Sequence, residues 1–297
     1  MLAVAMAVGY LVHLDRTVSG NVRHAALLPP EDAGSRQPPG EAAGGRKPLN
    51  LLFVGTDERP GEDRARSDVI VLTHLDADRR KIHLIHFPRD LYVTIPGRTG
   101  RDRINAAYRY GGMPLLASTI RTLTGVRVDH AAHTDFERFV AMTDAVGGVD
   151  VRVEEPTQGF RGDHMHVDGA AALAFVRERK NLSQGDISRG RRQQAFITAL
   201  MIKALSRQTL GNPARLARFV DAATTNLTVD DDLSIEDLRG EALALRGVRG
   251  DDVTFITAPM GRFFSTSGGA MVIEPDHAGM KRLGDAIRAD ALASYRP

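Results

Sequence analysis

The sequence predicts an α/β fold, a single domain with a central mixed β-sheet flanked by helices. From Leu49 to about residue 290, short β-branched and aromatic runs alternate with stretches of helical periodicity, and the composition never breaks. Two early strand candidates are joined only by "DADRRK" (76–81), too short for a crossover helix. That pair is therefore antiparallel, and a purely parallel sheet is excluded. The 42% apolar content of 297 residues suffices for a sizeable core.

The chain opens on "MLAVAMAVGYLVHL", apolar as far as His13 and without a preceding basic residue. A bilayer span takes ~20 residues, and a signal peptide starts with positive charge. A buried helix, a signal core and the outer half of a clipped membrane anchor all fit. The Pro/Gly/Ala-rich tether at 27–48 favours the anchor. The expected organisation is an anchor or signal-like segment over 1–26, a linker over 27–48 and the α/β domain over 49–290.

Strands are expected at "LNLLFVG" (49–55), "DVIVLTHL" (68–75), "KIHLIHF" (81–87) and "LYVTIPG" (91–97). A short helix is expected in "RINAAYRYGG" (103–112). Longer ones are expected at 113–125 and 135–148, each ending in Gly and followed by a strand, at 126–133 and 149–153. Residues 167–179 read as a short helix running into a strand, and 186–207 as the longest helix. Helices at 213–224 and 234–246, a strand at 253–258 and a helix at 276–290 complete the reading.

Net charge is only +2, which gives no field for nucleic acid, and none is expected as a partner. The cations are lopsided, with 34 Arg against five Lys. Arginine is the side chain whose rigid fork matches phosphate oxygens. With no Cys, thiol nucleophiles, thiolate metal sites and disulfides are excluded.

Two clusters stand out. "GTDERPGEDRARSDVI" (55–70) mixes both signs of charge between two strand candidates. If the first three strands alternate in direction, Asp57, Asp68, Arg59, Arg66 and the "PRD" of 88–90 meet at one sheet end. Two carboxylates there would hold a cation such as Mg²⁺, and Arg59, Arg66 and Arg89 would clamp phosphate oxygens. A solvated cluster of surface ion pairs is the alternative. The second cluster is "AFVRERKNLSQGDISRGRRQQAF" (174–196). On a strand, Arg177 and Arg179 would share a face; on the helix that follows, Asp186, Arg189 and Gln193 would share one. This is a polyanion cradle or an ordinary solvated basic helix. "HMH" (164–166) is a weaker metal candidate for want of a third ligand.

Seven blocks, "GTDER", "RSDVIVL", "FPRDLYV", "RINAAYRYGG", "DAVGGVDV", "HVDGAAALAFVRERK" and "DISRGRRQQ", occur in the order seen in the LytR-CpsA-Psr family of cell-wall glycopolymer ligases. The resemblance is dense over 49–206 and looser beyond. It implies a single-pass protein of the cell membrane with an extracytoplasmic domain. Its implied activity is Mg²⁺-dependent transfer of a glycopolymer from a polyprenyl-diphosphate carrier to peptidoglycan as a phosphodiester. It also implies Asp57 and Asp68 as metal ligands. Arg66, Arg89, Arg177, Arg179 and Gln193 would then bind the diphosphate, supported by Asp186 and Arg189. The family's Lys-Ile-Asn is Arg-Ile-Asn here, which puts a fork at Arg103 where a point charge is usual. Asp57 or Asp90 is the expected proton acceptor. A lipid-diphosphate hydrolase and a non-catalytic polyanion-binding module are the competing readings.

Overall fold

The computed structural model describes residues 2–30, 46–56, 67–135, 138–179, 181–183, 185–204, 206–225 and 227–296. The chain begins with helix α1 (Leu2–Asn21) and strand β1 (Arg23–Ala25), followed by β2 (Leu49–Thr56), β3 (Ser67–Leu75), β4 (Ile82–His86), β5 (Tyr92–Thr94) and β6 (Arg101–Arg103). Then come α2 (Ile104–Thr124), β7 (His130–Asp135), α3 (Arg138–Val146), β8 (Val149–Arg152), β9 (His164–Val167), α4 (Gly169–Arg177) and α5 (Asp186–Ala204). The remainder is α6 (Arg207–Leu210), α7 (Pro213–Thr224), β10 (Thr228–Asp230), α8 (Ile235–Ala244), β11 (Val253–Thr257), β12 (Met260–Ser265), β13 (Met271–Pro275) and α9 (His277–Arg288).

The expected mixed sheet has seven strands in the order β1-β10-β7-β2-β3-β4-β11. β2 and β3 run antiparallel with Thr56 opposite Ser67, and β3 and β4 run antiparallel with Val71 opposite His86. β11 then adds parallel to β4. The "DADRRK" link is the tight turn expected: Asp76 Oδ1 accepts the N–H groups of Arg80 and Lys81 at 2.8 and 3.1 Å. The chain divides into two compact units, Met1–Arg23 with Thr134–Thr228, and His24–His133 with Val229–Pro297.

In the second unit, "VIVL" of β3 (Val69 to Leu72) is buried throughout, as a central strand covered on both faces must be. Leu52, Ile70, Leu72 and Ile85 share one core with Leu116 and Ile120 of α2 and Met280, Leu283 and Ile287 of α9. α2 is two helices in one: Gly112 takes φ +64°, a value that favours glycine, and breaks it after Tyr110. The first piece is the short helix expected at 103–112, and the second the one expected at 113–125.

In the first unit, α3, α4, α5 and the β8–β9 hairpin bury Phe139, Phe175, Phe196, Val149 and Val151. Phe139 and Phe196 meet edge to face at 5.9 Å. Within α1, the Tyr10 hydroxyl donates to the Pro213 carbonyl at 2.8 Å and Asn21 Nδ2 to Asp221 Oδ1 at 3.0 Å.

Several boundaries differ from the sequence reading. No helix among the described residues is long and apolar enough to cross a membrane. β1 pairs with β10 in the sheet, and Leu27 is buried in the second unit's core. The strand expected at 126–133 begins only at His130, although Val126 and Val128 are buried. The one at 91–97 shrinks to three residues. β12 and β13 form a hairpin that the periodicity did not reveal. Most of the tether, 31–45, lies outside the described residues.

Candidate active site

The expectation that three strand ends meet at one end of the sheet is met by the backbone. Thr56 and Ser67 are paired neighbours, and the Phe87 N–H donates to the Ile70 carbonyl at 2.9 Å. Positions 56, 67, 68 and 88–90 therefore lie at the same sheet end. Asp57, Arg59 and Arg66 fall outside the described residues, as does the side chain of Asp68. The hydroxyls of Thr56 and Ser67, which flank positions 57–66, are buried and have no hydrogen-bond partner among the described residues.

"PRD" forms a tight turn closed by the Leu91 N–H donating to the Pro88 carbonyl at 3.0 Å. The turn caps α2. Its Leu91 carbonyl accepts the Ile104 N–H at 2.7 Å and its Arg89 carbonyl the Asn105 N–H at 3.2 Å, satisfying donors that a helix start leaves open. The Ile273 N–H of β13 donates to the Asp90 carbonyl at 3.0 Å. Thus fixed, Asp90 is 9% exposed and lies between two guanidinium groups. Its Oδ2 is 3.6 Å from Arg89 Nε and its Oδ1 3.5 Å from Arg103 Nη1. Arg103, placed by sequence at the entrance to a short helix, thus joins Arg89 through a shared carboxylate. Nearby, the Tyr110 hydroxyl donates to Asp102 Oδ2 at 2.7 Å, which raises its pKa.

The second cluster lies in the first unit. Arg177 is the last residue of α4 and Arg179 follows the helix end, both exposed. The strand expected here does not form, so a period of two does not align these side chains. The helix starts at Asp168, whose side chain caps it by accepting the Ala171 N–H at 2.8 Å. Asp186 opens α5, Arg189 is half-buried one turn later, and Gln193 is 6% exposed. α4 packs against α5.

Two residues of this region escaped the sequence reading. Arg192 is 4% exposed, with Nη2 donating to the Glu155 carbonyl at 2.7 Å and the Thr157 hydroxyl at 2.9 Å. Glu155 accepts the Ser183 N–H and, at 2.7 Å, the Ser188 hydroxyl; these bonds, the Ser183 bond foremost, hold its carboxyl below the usual range. The only signal in sequence was the i+3 spacing of Arg192 from Arg189.

Of "HMH", His166 Nδ1 sits 2.9 Å from Asp150 Oδ1 on the exposed face of the β8–β9 hairpin. No group of three His, Cys, Asp or Glu able to hold a metal occurs among the described residues.

Comparison with known proteins defines the class. The LytR_cpsA_psr family model matches residues 26–288, and the chain belongs to that family. It is 35% identical over 196 residues to the polyisoprenyl-teichoic acid–peptidoglycan teichoic acid transferase TagU of Bacillus cereus, covering 64% of each chain. Over 259 residues it is 34% identical to the probable cell wall biosynthesis protein LcpB of Corynebacterium glutamicum, covering 80% of this chain and 61% of that one. The chain thus spans somewhat under two thirds of the length of these relatives. Among solved structures, B. subtilis TagV superposes with a TM-score of 0.67 at 24% identity, over 85% of this chain and 99% of TagV. TagT bound to LI-WTA superposes with a TM-score of 0.62 at 25% identity, over 82% of this chain and 91% of TagT.

Proposed function

We propose that this chain is a phosphotransferase that moves a glycopolymer from a polyprenyl-diphosphate carrier to peptidoglycan as a phosphodiester, releasing polyprenyl phosphate. The observation that carries this reading is the Arg89–Asp90–Arg103 group, fixed by the turn that caps α2 at the sheet end where Thr56 and Ser67 pair. Family membership and the transferase named among the relatives support it.

Phosphoryl transfer asks for positioning and charge neutralisation more than for a protein nucleophile. In the proposed step the oxygen of a peptidoglycan sugar hydroxyl bonds to the glycan-linked phosphorus. The bond from that phosphorus to the bridging oxygen breaks, and the electron pair leaves on polyprenyl phosphate. The proton of the attacking hydroxyl passes to a carboxylate. Both oxygens of Asp90 face guanidinium groups, so Asp90 is suited to holding Arg89 and Arg103 in place, and the proton falls to Asp57. Arg89 and Arg103 would bind diphosphate, with Arg59 and Arg66 expected to join them; the family resemblance also implies Arg177, Arg179, Arg189 and Gln193, supported by Asp186, as diphosphate ligands.

Asp57 and Asp68 would hold Mg²⁺. The β2–β3 register and the two buried hydroxyls of Thr56 and Ser67, without partners among the described residues, fit a polar ligand set there. When bound, the ion would neutralise charge on the phosphate oxygens. The reading also includes an extracytoplasmic domain tethered to the cell membrane through the N-terminal segment.

The test is a product assay with carrier-linked glycan, peptidoglycan and Mg²⁺. Glycan joined to peptidoglycan through phosphate is the expected product. Free phosphorylated glycan alone would make the chain a hydrolase, and metal-independent binding without turnover would make it a binding module.

A further inference from the structure

The loop between α4 and α5 carries Arg179, and a buried pair outside the proposed ligand set ties it down. Arg192 follows Arg189 by three positions and precedes Gln193 by one, yet it turns into the protein and is 4% exposed. Its guanidinium carbon lies 4.6 Å from the ring centre of Phe175 and 5.3 Å from that of Phe160. Nη2 reaches the Glu155 carbonyl and the Thr157 hydroxyl. The aromatic faces attract the charge that burial penalises. One cation thereby joins α5, α4 through Phe175, and the loop after β8.

Glu155 extends the same joint in the other direction. One carboxylate oxygen accepts the Ser183 N–H, from the loop that follows Arg177 and Arg179. The other accepts the Ser188 hydroxyl, in the first turn of α5 between Asp186 and Arg189. A single acid therefore sets the distance between the loop and the helix. Side-chain packing does not set it there: a cavity of about 250 Å³ opens beside the pair, lined by Arg152, Ser183, Ser188 and Arg191 as well as Glu155 and Arg192. Where packing leaves space, hydrogen bonds decide the spacing, and charged ones are the stronger.

We propose that Glu155 and Arg192 are positioning residues: they hold the Arg177–Arg179 segment against the Arg189–Gln193 face of α5 so that these side chains meet one diphosphate. This rests on the function proposed above. Neither residue touches the substrate. Each acts through the groups it orients.

The test measures the Kd of a short-chain prenyl diphosphate, with Mg²⁺, by calorimetry on the full chain, alongside Tm. Arg177→Ala serves as the direct-contact control and is expected to weaken binding at least about tenfold. Glu155→Ala is expected to raise Kd about tenfold, and Glu155→Gln, which keeps an acceptor oxygen, to stay within about threefold of wild type. Arg192→Lys keeps the charge but cannot make the two Nη2 bonds and stack at once, so it is expected to behave like Glu155→Ala. Ser188→Ala removes one bond only and is expected to raise Kd about threefold, which carries the test if Glu155→Ala does not fold. A control that weakens binding beside folded Glu155 and Ser188 variants that lower Tm but bind as wild type would overturn the proposal. If Arg177→Ala itself binds as wild type, the diphosphate site it rests on is wrong.

Discussion

Replacing Asp90 separates an organising carboxylate from a catalytic base. Its oxygens lie 3.6 Å from Arg89 and 3.5 Å from Arg103. At an effective dielectric of ~20, each contact is worth about 5 kcal/mol of gross attraction. Desolvating the charges offsets most of that, and Arg103, whose side chain is 29% exposed, is further screened. The net loss on removing the carboxylate is about 2 kcal/mol, which in transition-state positioning corresponds to roughly 30-fold in rate. Asp90→Ala is therefore expected to lower kcat/KM about 30-fold, and Asp90→Asn, which keeps one acceptor oxygen, about 5-fold. The assay follows transfer of labelled glycan to peptidoglycan across pH 5.5–8.5. With Asp57 as the base, Asp90→Asn keeps the wild-type pH profile. Loss of the acidic limb in Asp90→Asn, or a wild-type rate in Asp90→Ala, would refute this reasoning.

Three further outcomes are expected. Asp57→Ala and Asp68→Ala should each abolish the Mg²⁺ dependence of transfer and cut the rate at least about 100-fold, seen by titrating the metal into chelator-treated protein. His86, whose Nδ1 is sealed from solvent without a hydrogen-bond partner among the described residues, has its pKa lowered by burial to about 4. The unfolded chain binds this proton near pH 6.5 and the folded chain does not, so its contribution falls as pH drops from 6.5 toward 4, by about 2 kcal/mol between pH 7 and 5. Urea unfolding of His86→Gln should lack that part of the acid-side slope; an unchanged slope would contradict it. Finally, a Cβ at Gly284 would overlap the Thr124 carbonyl oxygen, which is backbone and already accepts Arg288 Nη1 at 3.0 Å. Gly284→Ala should cost about 3 kcal/mol and lower Tm by roughly 8 °C in calorimetry, whereas an unaltered Tm would show that α9 yields.

The alternation of apolar runs, the short "DADRRK" link and the helix-ending glycines encode local rules, and local rules set β2, β3, β4, both pieces of α2 and α7 with little dependence on the rest of the fold. The two charge-rich segments stood out for a similar reason, because charge clustered between apolar runs is a pattern of neighbours. The meeting of strand ends at 56, 67 and 87 followed from strand direction alone. Arg177 was misread as a strand residue because "LAFVRER" fits both periods over so short a length, and the Asp168 cap with packing on α5 settled it as helix.

What the sequence by itself determined is the fold class and the antiparallel start of the sheet, since composition and short-range spacing suffice for those. Tertiary structure alone decided that Asp90 binds two arginines, that Arg192 faces inward onto Phe160 and Phe175, and that Glu155 joins loop to helix. Apart from Arg89, which adjoins Asp90 in sequence, these contacts link residues 13 to 33 positions apart. Whether such a pair forms depends on how packed elements bring the two ends together, and no local propensity records that.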